Sequence, residues 1–230
     1  MSAISSPHLN RIRSYVRRLG RITPMQKKAL ASHWDQFGLT CPQANLTHAF
    51  KNNDAPLWLE IGFGMGEAFI ECVKAHPEIN FIGIEVHLPG VGRTLDELAK
   101  LENNNTRIFA EDAIEVLTSS IQDKSLARLQ LFFPDPWPKK KHHKRRIVST
   151  QFLDLVAQKL KPGGLLYIST DWENYAEWII THLNAHSEFI NRFPESVFVP
   201  QSEIDRFNTK FERRGKNLGH GVWDIQYLKS

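Results

Sequence analysis

Two short stretches of this 230-residue chain carry residue types at spacings that can do chemistry. The first is Leu59-Glu60-Ile61-Gly62-Phe63-Gly64-Met65-Gly66. Glycines at alternate positions let a backbone pass against a ligand, and Glu60 sets an anionic group beside the turn. The dinucleotide fingerprint G-x-G-x-x-G needs its third glycine at position 67, but Glu67 stands there and would repel a pyrophosphate. Glu85 follows Gly66 by 19 residues, the spacing at which a carboxylate accepts hydrogen bonds from ribose hydroxyls. Glu60, Gly62, Gly64, Gly66 and Glu85 thus suit a phosphate-free nucleoside with a cationic tail, and S-adenosylmethionine has those parts.

The second stretch is Phe133-Pro134-Asp135-Pro136-Trp137-Pro138, followed at once by Lys139-Lys140-Lys141-His142-His143-Lys144-Arg145-Arg146. A residue before proline is pushed out of the α region, so Phe133, Asp135 and Trp137 are expected to be extended. Such a loop is stiff, and it presents one carboxylate and one indole next to a run of cations. An aromatic beside a cationic tract can stack an unpaired base while holding its phosphates.

The elements that must position these groups follow from hydrophobic periodicity. Strands are expected at 57–61, 81–86, 107–110, 129–133 and 165–169, and helices at 67–76, 91–101, 113–119, 152–160 and 175–183. Alternating strands and helices call for a mostly parallel sheet with helices on both faces. The terminal run Val222 to Leu228 alternates with period two and reads as an antiparallel edge strand. Both motifs then fall at carboxyl ends of strands, where open α/β sheets bind ligands. Residues 1–54 are basic, polar and weakly periodic and read as an arm and linker; residues 55–230 read as the catalytic domain.

Composition sets outer bounds. A hydrophobic content of 41% is ordinary for a globular chain, which excludes disorder, collagen and coiled coil. No apolar run approaches the ~20 residues of a membrane span, and the Arg-rich start lacks a signal-peptide core, so a cytoplasmic protein is expected. Two cysteines, Cys41 and Cys72, cannot build a disulfide framework or a four-cysteine zinc site. No histidine spacing resembles a zinc site, so His142, His143 and His220 read as phosphate or structural contacts and no metal is expected. The net charge of +4 conceals a segregation. Arg11, Arg13, Arg17, Arg18, Arg21, Lys27 and Lys28 all precede the first acid, Asp35, and the block from Lys139 to Arg146 is the second basic cluster. The rest of the chain is net acidic. Two localised cationic surfaces on an acidic body suit a polyphosphate partner, with nucleic acid first.

The strings LEIGFGMGE, GIEV, FFPDPWPKKKHHKRR, STDWE and TKFERRGKNLGHGVWD together resemble the bacterial tRNA (guanine-N7-)-methyltransferases from about Leu57 to the C-terminus. The resemblance implies a Rossmann-like class I methyltransferase fold with a seven-stranded sheet, S-adenosylmethionine as donor, and the variable-loop guanine at tRNA position 46 as target. It implies Glu60, Glu85, Asp112 and Asp135 as cofactor-binding acids, with Asp135 also the catalytic residue. It further implies Lys139, Asp171 and Thr209-Lys210-Phe211-Glu212 as substrate contacts, and Lys141, His142, His143, Lys144, Arg145 and Arg146 as the RNA-binding segment. The partner is tRNA, no obligate protein partner is implied, and monomer and homodimer both stay open. In one departure, Phe207 stands where the family often has proline, two residues before the threonine.

The chemistry is consistent with these residues. Guanine N7 carries an in-plane lone pair, so its methylation needs no prior deprotonation, only in-line approach and tolerance of a purine that becomes cationic. A carboxylate near the imidazole edge, here Asp135, would stabilise the developing charge, and Trp137 could stack on or near the base. N7 edges are buried in the deep groove of A-form RNA, so the target lies in a loop or is exposed by the protein. Two other classes remain. A nicotinamide oxidoreductase would use the same sheet but conflicts with Glu67 and the basic blocks. A non-catalytic RNA-binding module would leave Glu60, Glu85 and the glycine turn without a use.

Overall fold

The structure, a computed structural model, describes residues 13–15, 20–43, 46, 49–207 and 221–230. The strands Leu57–Ile61 (β2), Asn80–Ile84 (β3), Thr106–Phe109 (β4), Leu126–Phe132 (β5) and Leu160–Thr170 (β6) run parallel. They are buried along most of their length, as strands covered on both faces are. Between them lie the helices Glu67–Ala75 (α2), Leu88–Lys100 (α3), Ala113–Ser119 (α4) and Thr150–Lys159 (α5). Glu173–Asn184 (α6) follows β6, and Phe189–Asn191 (β7) and Trp223–Lys229 (β8) are antiparallel. Asp112 and Ser149 cap α4 and α5 by accepting the amides of Ile114 and Phe152, which is why those helices begin there.

Two short strands are additions to the six that periodicity gives, one strand more than the seven-stranded plan. Pro24–Phe37 (α1) leads into Gly38–Leu39 (β1), which pairs with β4, and the sheet order is β1-β4-β3-β2-β5-β6-β8-β7. The sheet therefore has eight strands, and the antiparallel C-terminal strand β8 is not the edge, because β7 pairs along its outer side. Segments of two and three residues are too short to show a period. α1 starts at a capping box, Thr23 accepting the Gln26 amide while the Gln26 side chain accepts the Thr23 amide, with Pro24 in the first turn. It packs on α3 so tightly that a Cβ on Gly92 would stand 2.7 Å from the carbonyl oxygen of Gln26. Thus α1 and β1, the stretch 24–39 within the basic N-terminal region, are built into the sheet, with Phe37 fully buried.

Two hydrophobic clusters flank the sheet, one running through Leu59, Leu129, Val156 and Ile179, the other through Phe69, Phe81, Leu95 and Ile108. Among the described residues no helix is long and apolar enough to cross a membrane.

Candidate active site at the carboxyl ends of the strands

Gly62, Gly64 and Gly66 all have φ between 60° and 78°, so the chain turns away from β2 in a conformation that residues with a Cβ resist. The Gly64 amide donates to Oε2 of Glu85 at 2.7 Å, and the His87 amide donates to Oε1 at 2.8 Å. Glu85, just past β3, is thereby fixed as a rigid acceptor, and each carboxylate oxygen keeps a second lone pair for a ligand hydroxyl. Burial raises its pKa above the ordinary carboxylate range, against the lowering effect of the two amides.

Glu60 is 5% exposed, and Nε2 of Gln130, its register partner on β5, donates to its Oε2 at 3.1 Å. Burial pushes its pKa up to about 8, with Glu85 adding to the rise and Gln130 and Arg128 opposing it. Among the described residues no cation lies within ion-pairing distance of Glu60; Arg128 is committed to Asp205 through two hydrogen bonds of 2.7 and 3.1 Å. A buried carboxyl without a counter-ion is a place for a ligand's cation. An open glycine turn, a ribose-type acceptor and this carboxyl fit the parts of S-adenosylmethionine. Asp112 stands past β4, half-exposed, where its side chain caps α4.

Asp135 is exposed, past the end of β5. The loop around it departs from the extended form expected: Phe133 and Trp137 have φ of 51° and 46°. The following prolines disfavour right-handed α, and two hydrogen bonds hold these residues in the left-handed region instead. Phe133 donates its amide to Ser169 O at 2.8 Å, and Trp137 donates its indole N–H to Ser14 O at 3.0 Å. Bulky residues in that region cost about 1–3 kcal/mol each, and such strain clusters at functional sites. The indole expected to stack on a base is thus half-buried and engaged: Arg145 lies over its face at 4.8 Å and His142 meets its edge.

The basic run forms a 3-10 turn, Lys140–Arg145, and divides by side. Lys139, Lys140, Lys141 and Lys144 are exposed. His142 is half-exposed; its pKa is lowered by partial desolvation and then by Lys141, Arg145, Lys139 and Lys144 around it. His143 and Arg146, three apart and so on one face, turn inward. Arg146 is 4% exposed, lies over Tyr175 and Trp178, and donates to Pro136 O at 2.9 Å and Asn174 Oδ1 at 2.8 Å. The structure therefore takes Arg146 out of the cationic surface, because its guanidinium braces the Asp135 loop from inside. His143 packs its ring against Trp178 at 5.8 Å.

Asp171 is half-exposed just past β6. Thr209, Lys210, Phe211 and Glu212 lie outside the described residues. The segment before them is anchored by groups that sequence reasoning missed. Arg206 donates to both oxygens of Asp224 at 2.5 and 2.9 Å, and Asp224 also accepts from Tyr167 and Ser169. The clue was present in β5, where Arg128 and Gln130 interrupt an apolar strand at alternate positions. A cavity of about 670 Å³ lies at the other end of the strands, lined by Asn52, Asn80 and residues 103–105. Glu60, Glu85, Asp112, Asp135 and Asp171 are not among the residues that line it.

The chain is similar to known methyltransferases. Residues 54–225 match a family model described as "Putative methyltransferase". A tRNA (guanine-N(7)-)-methyltransferase of Shewanella amazonensis is 50% identical over 222 residues, covering 96% of this chain and 92% of that protein. One from Colwellia psychrerythraea is 46% identical over 223 residues, covering 96% and 91%. Among solved structures, the precorrin-6y C5,15-methyltransferase of Geobacter metallireducens has a TM-score of 0.51 at 15% identity, covering 76% of this chain and 81% of its own. An rRNA methylase of Streptococcus thermophilus also scores 0.51 at 12% identity, covering 80% and 91%. These two likenesses show the fold.

Proposed function

The chain belongs to the family of tRNA (guanine-N7-)-methyltransferases, and from that premise we propose that it methylates N7 of guanine 46 in the variable loop of tRNA in the cytoplasm. The observation that carries the reading is the buried Glu60 carboxyl, without a counter-ion among the described residues, set beside the glycine turn and Glu85.

When bound, S-adenosylmethionine supplies an electrophilic methyl on a sulfonium. Glu60 receives the cationic end of the donor, Glu85 accepts from the ribose, Gly62, Gly64 and Gly66 give it room, and Asp112 flanks the base. The N7 lone pair forms the new N–C bond as the S–C bond breaks; the purine gains the positive charge and no proton has to leave. Asp135, on its strained loop, faces that charge and lowers the barrier electrostatically. Lys139, Lys140, Lys141, Lys144 and Arg145 take up phosphates, with His142 beside them, while Asp171 and Thr209 to Glu212 contact the nucleotide. Residues 55–230 form the catalytic unit, and residues 1–54 extend its cationic surface through the exposed Arg13, Arg21, Lys27 and Lys28.

Labelled methyl transfer to unmodified tRNA transcripts, followed by mass-spectrometric mapping, tests this. Finding 7-methylguanosine at position 46 is the expected result; a methyl group on another base or position overturns it.

A further inference from the structure

All six tryptophans lie among the described residues, and Trp172 alone is exposed, at 41%. It sits between Asp171 and Glu173 at the carboxyl end of β6. Phe132 on β5 pairs with Ser169 on β6, and three residues beyond each stand Asp135 and Trp172. Parallel neighbours are about 4.8 Å apart, and β5 and β6 end within one residue of each other in register, so the segments that carry the two residues begin at the same rim of the sheet.

The backbone of Trp172 is fixed. Its amide donates to Thr170 Oγ1 at 3.2 Å, and its carbonyl accepts the amides of Tyr175 and Ala176 at 2.9 and 3.0 Å. It is the N-cap of α6, a position where Ser, Thr, Asp or Asn would stabilise the helix by accepting an amide and an indole cannot. A large aromatic ring at a cap position it does not favour, on the rim of the site, is the kind of local conflict that functional positions carry. Among the described residues no ring or cation packs on it, unlike Trp137 with Arg145 over its face.

Resting on the guanine-N7 reading above, we propose that Trp172 is the platform on which the target guanine stacks, with Asp171 beside it to accept from the base's N–H donors. The consequence for rate follows from charge. A neutral guanine gains ordinary stacking from an indole, whereas the purine that is acquiring a methyl group gains cation–π attraction as well. An interaction stronger in the transition state than in the ground state raises kcat rather than tRNA affinity.

The test uses the full-length enzyme and unmodified tRNA. Trp172→Ala should lower the single-turnover rate at saturating donor and tRNA by roughly 5- to 30-fold, with Trp172→Phe between it and the parent. Affinity for S-adenosylmethionine should stay unchanged. The second readout is the preference of the unaltered enzyme for tRNA carrying 7-methylguanosine over unmodified tRNA, measured without donor. A preference of several-fold, abolished in Trp172→Ala, supports the proposal. An equal preference in parent and variant overturns it, as does an unchanged single-turnover rate. If the parent makes no 7-methylguanosine, the functional reading fails first; if it does and the variants behave as the parent, only the role of Trp172 fails.

Discussion

A Cβ on Gly90, in the first turn of α3, would stand 1.9 Å from the carbonyl oxygen of Gly64. The helix thus lies directly against the glycine turn and holds it from behind, while the Gly64 amide is held from the front by Glu85. Gly90→Ala should push the turn out of place and weaken S-adenosylmethionine binding by roughly tenfold or more, taking ~1.4 kcal/mol as the least that such a displacement costs. Titration calorimetry on the folded variant checks this; unchanged affinity would mean that the turn is not the cofactor cradle.

Donor affinity should depend on pH through Glu60. Its pKa in the free protein is about 8 because burial disfavours the carboxylate, whereas a cation bound beside it favours the carboxylate. Binding therefore releases a proton below pH 8, and affinity rises with pH by up to about tenfold per unit before levelling above that value. The same raised pKa makes the ligand-free fold bind more protons than the unfolded chain, so this group's contribution to stability declines as pH rises from about 4.5 to 8. Calorimetry in buffers of different ionisation enthalpy should detect the released proton in the parent and find none in Glu60→Gln.

The basic turn should separate into two kinds of residue. Neutralising Lys140, Lys141 and Lys144 together should flatten the dependence of log affinity for tRNA on log salt by ~0.7 to 0.9 for each phosphate that no longer meets a cation. Arg146→Gln should leave that slope alone and lower thermal stability instead, by roughly 1–3 kcal/mol, because Pro136 O and Asn174 are deprived of their buried donor. Salt titrations and thermal unfolding distinguish the two.

Asp135→Asn keeps the shape of the loop and removes its charge. Turnover should fall by roughly 100-fold or more, the usual effect of removing a group aimed at a developing charge, with tRNA affinity little changed. Equal losses in both would make Asp135 a binding residue.

Much of this was legible in the sequence because long elements have periods. The helix at 113–119 coincides with α4, and the strand at 57–61 with β2, since a buried run and a capped amphipathic turn each bury the same face however the chain folds around them. β1 and β7 gave no such signal, being two and three residues long, and without β7 the sequence puts β8 at the edge. The strand-end acids were legible for another reason: Glu60 and Glu85 stand at the ends of apolar strands, and topology alone brings those ends together. Side-chain direction was not legible. Nothing in the run KKKHHKRR says that its last arginine turns inward, because that depends on Tyr175 and Trp178 of α6 arriving beneath it. Likewise Trp137 and Trp172 look equally available in the sequence, and only Ser14 and Arg145 packed around the first distinguish them.

Whether this site methylates N7 of one guanine can be read by changing that atom. Two tRNA transcripts are compared, identical except that one carries 7-deazaguanine at position 46, which keeps the shape and Watson–Crick edge of guanine but has carbon in place of N7. One methyl group should be transferred per guanine-46 transcript and none to the 7-deaza transcript, with both bound equally well. Transfer of a methyl group to the 7-deaza transcript would contradict methylation at N7.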